Sequence, residues 1–130
     1  HAQVFTKMYV TYYHASMKKY KISGRTYVCP LQLTLNVMLG KWKGIILWVL
    51  LYDTPVIRYG ELKRKIDEVE KTTDRMLIQA LKDLEKDGLL ERKAYPVVPP
   101  KVEYRLSRAG LRFKPVVDAL EAFGMAYEVG

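Results

Sequence analysis

Between Thr72 and Leu106 the chain changes its apolar period, and this constrains its fold more than any other stretch. Leu77, Leu81 and Leu84 fall within about 60° of one another on a helical wheel. Arg75, Gln79 and Lys82 fall on the opposite side. Thr72 or Thr73 can cap such a helix, because a threonine oxygen accepts from a backbone N–H left unpaired in the first turn. Gly88 suits the left-handed residue just past its end at Asp87. From there the period becomes two. Leu89 to Tyr95 and Val102 to Leu106 read as strands, with Val102, Tyr104 and Leu106 alternating with Glu103 and Arg105. Pro96, Pro99 and Pro100 make the loop between them stiff and extended, unlike a short Asn-Gly turn. Lys101 stands near its tip, which suits insertion into a groove.

The rest of the chain supplies further helices. Pro30 fits a first helical turn, where its missing N–H costs nothing, and Leu31, Leu35 and Met38 follow at helical spacing. Gly40 interrupts, and a mostly apolar helix is expected from about Lys41 to Tyr52, ended by Asp53-Thr54-Pro55. Trp42 and Trp48 within it, and Met38 and Met76 elsewhere, are expected in the core. Val56 to Arg58 is a short extended piece, and Gly60 to Glu68 a short helix with Leu62 and Ile66 inward. Ser107 caps a last helix in which Pro115 forces a kink or restart. Its apolar stripe of Val116, Ala119, Leu120 and Phe123 either folds onto its own core or packs on a second copy. Three packed helices followed by a two-stranded hairpin make a winged helix-turn-helix. The expected class is α+β, mainly α, with the helix ahead of the hairpin as the recognition helix.

The 130 residues fit one domain with a tail: a basic, tyrosine-rich extension over 1–26, then a winged-helix domain over 27–130 whose final helix spans 107–129. The chain opens on His1, so its first residues read as an expression remnant, with Met8 and Met17 as candidate native starts. The longest apolar run, Ile45 to Tyr52, is far short of the roughly 20 residues a bilayer span needs, so no membrane partner is expected. No signal peptide is visible, and with a single cysteine this points to the cytoplasm, on the nucleoid when DNA is bound. His1 and His14 beside the lone Cys29 offer no zinc site, and no cofactor is expected. No catalytic triad, paired-carboxylate pattern or Gly-rich phosphate loop is present, so an enzyme is not expected.

Charge narrows the partner. The 22 Lys+Arg against 14 Asp+Glu leave a net +8, which favours a polyanion. Residues 1–30 carry five basic residues and no acid, whereas residues 61–92 hold eight basic and nine acidic. The excess therefore lies outside the proposed reading helix, and net charge speaks for general affinity rather than specificity.

An ordered set of motifs resembles the HxlR-type regulators, relatives of the MarR group. It runs from Cys29 to Phe123. It comprises Cys29-Pro30, Gly40-Lys41-Trp42-Lys43, Tyr59-Gly60-Glu61-Leu62, Thr73-Asp74-Arg75-Met76-Leu77 and the run from Leu84 to Arg92. The wing adds Tyr95-Pro96, Val98 to Tyr104, and Leu106-Ser107. Three features depart from the family pattern. The stretch between Ile66 and Thr73 is about three residues longer, Phe123 replaces a tryptophan, and the extension before Cys29 is additional. The resemblance implies a homodimeric regulator on double-stranded DNA with a pseudo-palindromic operator. Val116, Ala119, Leu120 and Phe123 would form the dimer interface. Many such regulators respond to oxidants, electrophiles or small aldehydes through a cysteine near the start, here Cys29.

For DNA contact, Arg75 suits guanine and Gln79 adenine, each as a bidentate pair worth about 1–3 kcal/mol of discrimination. Lys82 shares their face. Thr72 and Thr73, at the helix start, suit phosphate. Lys101 suits the minor groove, with Lys93 and Arg105 on flanking phosphates, and Lys41 and Lys43 are further phosphate candidates. Cys29 at a helix N-terminus beside Arg25 is placed for a stabilised thiolate. Two alternatives remain: a regulator with a small-molecule pocket beside the last helix, and a winged helix used to bind protein.

Overall fold

The computed structural model describes residues 18–130. The expectations for His1, His14, Met8 and Met17 lie outside the described residues. Backbone packing divides the chain after Leu39 into two compact units.

The N-terminal unit contains a hairpin and a helix. Strands β1 (Tyr20–Ile22) and β2 (Arg25–Tyr27) pair antiparallel, with Ile22 opposite Arg25. Ser23 and Gly24 turn the chain with φ of 49° and 78°, both left-handed, as a tight two-residue hairpin turn requires. Part of the extension is thus a β-hairpin, which the aperiodic sequence did not announce. Helix α1 (Pro30–Met38) comes next, with Pro30 in its first turn and Cys29 as the preceding cap residue. Val37 is fully buried, whereas Leu31 and Leu35 are exposed.

The second unit is the winged helix. Helix α2 (Lys43–Trp48) runs directly into a π-helical turn over Val49–Asp53. Thr54 N–H closes that turn on Val49 C=O at 3.0 Å. The expected α-helix from Lys41 to Tyr52 is therefore shorter and ends in a widened turn. Strand β3 (Val56–Arg58) leads into α3 (Tyr59–Val69), and α4 (Asp74–Lys86) comes after a short loop. Ile46, Leu47, Leu50, Leu62, Ile66, Leu77, Leu81 and Leu84 from these helices make the core. Of the four expected core residues only Trp42 is buried. Met38 is half-buried, and Trp48 and Met76 are more exposed, because each lies off the stripe that meets the other helices.

The wing is β4 (Leu90–Tyr95) and β5 (Lys101–Leu106), antiparallel with Leu90 opposite Leu106 and Tyr95 opposite Lys101. β3 adds to the free side of β5, giving the order β3-β5-β4 with Ile57 opposite Tyr104. Ser107 clips the base of the hairpin to the C-terminal helical segment. Its Oγ donates to Gly88 C=O at 2.6 Å and accepts from Gly110 N–H at 3.0 Å. Gly110 lies so close to the hairpin that a Cβ there would stand 2.2 Å from Leu89 O. Helix α5 (Arg108–Leu111) is a single turn, and α6 (Lys114–Met125) restarts at Pro115. Val117 buries against the unit, while the rest of α6 is largely exposed.

Candidate nucleic-acid interface

The helix-turn-helix is held by local polar bonds. Asp67 on α3 accepts from Thr72 N–H at 3.0 Å and from Lys63 Nζ at 2.7 Å. The Lys63 bond, then the Thr72 bond, hold its carboxyl below the ordinary value. Thr73 Oγ1 accepts from Met76 N–H at 3.2 Å and is the cap of α4. Asp74 accepts from the Tyr59 hydroxyl at the start of α3. Burial first, and Asp74 second, push that hydroxyl well above its usual pKa, so it remains a donor. The stretch between Ile66 and Thr73 is therefore tied down at both ends.

On α4, Leu77, Leu81 and Leu84 are buried, whereas Arg75, Gln79 and Lys82 are exposed. Among the described residues Arg75 and Lys82 make no ion pair. Gln79 Nε2 donates to Asp83 Oδ1 at 2.9 Å. Lys82 also borders an open recess of about 440 Å³ with Ile78, Glu85, Arg92, Tyr104 and Tyr59. This recess separates the exposed side of α4 from the wing sheet, and Arg92 is a cation in it that sequence reasoning did not single out.

The wing carries an ordered cation pair. Two ammonium groups lie against the Tyr95 ring, Lys93 Nζ at 4.8 Å and Lys101 Nζ at 4.4 Å from its centre. The Tyr95 hydroxyl donates to Glu103 at 2.6 Å, and Lys101 pairs with Glu103 at 3.6 Å. The Tyr95 bond, aided by Lys101, holds the Glu103 carboxyl below its usual range. Tyr95 thus fixes both lysines on one face of the hairpin. Arg105 is exposed on β5, opposite Glu91.

Two lysines at the start of α2 differ sharply. Lys41 is exposed and pairs with Glu70. Lys43 is buried, with its Nζ 3.6 Å from Asp83 Oδ2. The structure corrects the expectation that Lys43 meets a phosphate: its ammonium is turned inward and neutralised by an acid of α4. Thr72 has its N–H committed to Asp67, and its hydroxyl, which donates to Thr73 C=O at a long 3.5 Å, is the group left for a phosphate.

The profile of the HxlR-like helix-turn-helix family matches residues 37–129. The chain belongs to the HxlR-like family. It is a transcriptional regulator of the HxlR/MarR type, and its relatives are DNA-binding regulators rather than enzymes. It is 46% identical over 98 residues to the regulatory protein MalR of Fusobacterium mortiferum, covering 75% of this chain and 89% of MalR. A MarR-family regulator from Porphyromonas gingivalis W83 superposes with a TM-score of 0.68 at 39% identity, over 77% of this chain and 93% of that one. The redox regulator HypR in its oxidised form gives a TM-score of 0.67 at 37% identity, over 78% of this chain and all of HypR. Among the described residues no single helix is long and apolar enough to cross a membrane.

The remaining expected site residues fall in two places. Cys29 is buried, 3% exposed, at the cap of α1. On α6, Val116 is half-buried and Ala119 exposed, with Leu120 and Phe123 56% and 69% exposed. A cavity of about 430 Å³ lies between α2 and α6, walled by Ile45, Trp48, Val69, Val117 and Leu120, with Glu121 at its edge.

Proposed function

We propose that this HxlR-like regulator binds a pseudo-palindromic operator as a homodimer, with α4 in the major groove and the wing on the adjacent minor groove. The observation that carries the reading is the α4 face itself: Arg75, Gln79 and Lys82 are exposed opposite a fully buried leucine stripe. Arg75 would donate to guanine O6 and N7, and Gln79 would pair with adenine N6 and N7. Thr73 and the Thr72 hydroxyl would meet a phosphate at the helix start, with Lys82 on the backbone beside them. Lys101 would enter the minor groove, and Lys93, Arg105 and Lys41 would take phosphates. The exposed Leu120 and Phe123, with Val116 and Ala119, would be covered by the second copy. A two-fold dimer presents two reading helices, hence the palindrome.

Footprinting of variants on one selected operator tests this. Arg75→Ala is expected to relax base preference at one position of each half-site. Lys101→Ala is expected to weaken all binding and lower its salt dependence. Equal base preference in wild type and Arg75→Ala would remove Arg75 as a base reader.

Two effector readings attach to this function. The likeness to HypR, itself a redox regulator, supports a response of Cys29 to an oxidant, an electrophile or a small aldehyde. Because the thiol is buried, reagent access requires local opening around the cap of α1. Cys29→Ser should abolish any oxidant-dependent change in operator affinity. The cavity between α2 and α6 supports the other reading, a small ligand with apolar bulk. A thermal-shift screen of phenols and aldehydes against wild type and Cys29→Ser separates the two.

A further inference from the structure

Lys43, Asp83 and Gln79 form a chain of polar contacts from the interior of the winged helix to its exposed reading face. Lys43 opens α2, and its ammonium sits 3.6 Å from Asp83 Oδ2 with the side chain 8% exposed. Its stem lies along Gly40, where a Cβ would stand 3.6 Å from Lys43 Cε. Gly40 also adopts φ of 134°, a conformation that side-chain-bearing residues avoid. Asp83 Oδ1 accepts from Gln79 Nε2 at 2.9 Å, one turn earlier on α4. A carboxylate can only accept, so the amide nitrogen of Gln79 must face Asp83.

We propose that Lys43 is a positioning residue for base recognition, acting through Asp83 on Gln79; this rests on the reading of Gln79 as an adenine contact. The amide nitrogen carries two N–H groups. One is bound to Asp83, which leaves one N–H and Oε1, the donor and acceptor that adenine N7 and N6 require. An unanchored glutamine on a helix surface samples several rotamers and must be ordered when DNA binds. An isolated aspartate on the same surface would repel phosphate. Lys43 removes both penalties, because a buried ammonium needs a nearby anion and Asp83 supplies it. The carboxylate is thereby fixed and neutralised in one contact.

Selection from a library of randomised duplex DNA tests the relay, run with wild type, Gln79→Ala, Arg75→Ala, Lys43→Met and Lys43→Met/Asp83→Ala. Gln79→Ala is expected to erase preference at one position of the half-site. Lys43→Met and the double variant are expected to lower preference at that same position about tenfold. The preference that Arg75→Ala removes should persist in both, and the salt dependence of binding should persist in the double variant, which carries neither charge. The double variant leaves neither charge without its partner, so it stays folded if Lys43→Met alone does not, and its result then decides. Full preference retained at the Gln79 position in the double variant overturns the relay. A Gln79→Ala pattern identical to wild type overturns the base-reading role itself, and the relay falls with it.

Discussion

Tyr52, in the π-helical turn after α2, donates its hydroxyl to Asp118 on α6. Lys114 Nζ takes the other carboxylate oxygen at 3.0 Å and lies 5.5 Å from the Tyr52 ring centre. This triad ties the final helix, which carries the exposed Leu120 and Phe123, to the helix-turn-helix body.

The tie should be pH-dependent at both ends. The Tyr52 bond, then Lys114, hold the Asp118 carboxyl below its unfolded value. Its contribution is therefore present above the ordinary carboxylate range and lost as pH falls through the lowered folded value. Tyr52 and Lys114 are raised, chiefly by their bonds to Asp118, so their contributions persist through neutral pH and are lost as pH rises through the raised values. Melting curves from pH 7 down to about 3 should show a shallower acid limb in Asp118→Asn than in wild type. Superimposable curves would rule the triad out as a source of acid sensitivity.

Thr73→Ala should lower stability by about 0.5–2 kcal/mol, since it leaves Met76 N–H without its cap. Urea titration measures this. Arg75→Ala, exposed and unpaired among the described residues, should stay within about 0.5 kcal/mol of wild type. The pair separates the scaffold of α4 from its reading face.

Gly110→Ala should destabilise by about 1–3 kcal/mol, because the added carbon would strike Leu89 O, and backbone moves only with the hairpin. The loss should appear as a lowered urea midpoint. Gly60→Ala, with no atom within 4 Å of the new carbon, is the matched control and should be near neutral.

On the proposed dimer interface, Leu120→Asp and Phe123→Asp should leave the fold intact, since both side chains are largely exposed, and should shift the protein toward monomer. Sedimentation velocity reports the mass directly. A stripe that tolerates both acids at an unchanged dimer mass would place the dimer contact elsewhere.

Much of this molecule was legible because its signals are local. Thr73 and Ser107 as caps, Gly88 past the end of α4 with φ of 79°, and Pro115 at a helix restart each act over three or four residues. The alternation of β5 predicted Val102, Tyr104 and Leu106 inward; Tyr104 and Leu106 are buried and Val102 is half-buried. The β1–β2 hairpin was not legible, because three-residue strands carry almost no period and Ser23-Gly24 is a weak turn signal.

What the sequence determined by itself was the order of elements from α1 onward and the leucine stripe of α4, hence a winged helix with Arg75, Gln79 and Lys82 facing outward. Spacing alone decides which residues share a face. Only the tertiary structure decided the fate of Lys43, Trp48 and Met76, the pairing of Val56–Arg58 with β5, and the tie from Tyr52 to Asp118. These depend on which distant residue arrives opposite: an acid at position 83 turns a lysine 40 residues earlier from a surface cation into a buried one. Charge on a side chain is a local property, but burial and pairing belong to the packed whole.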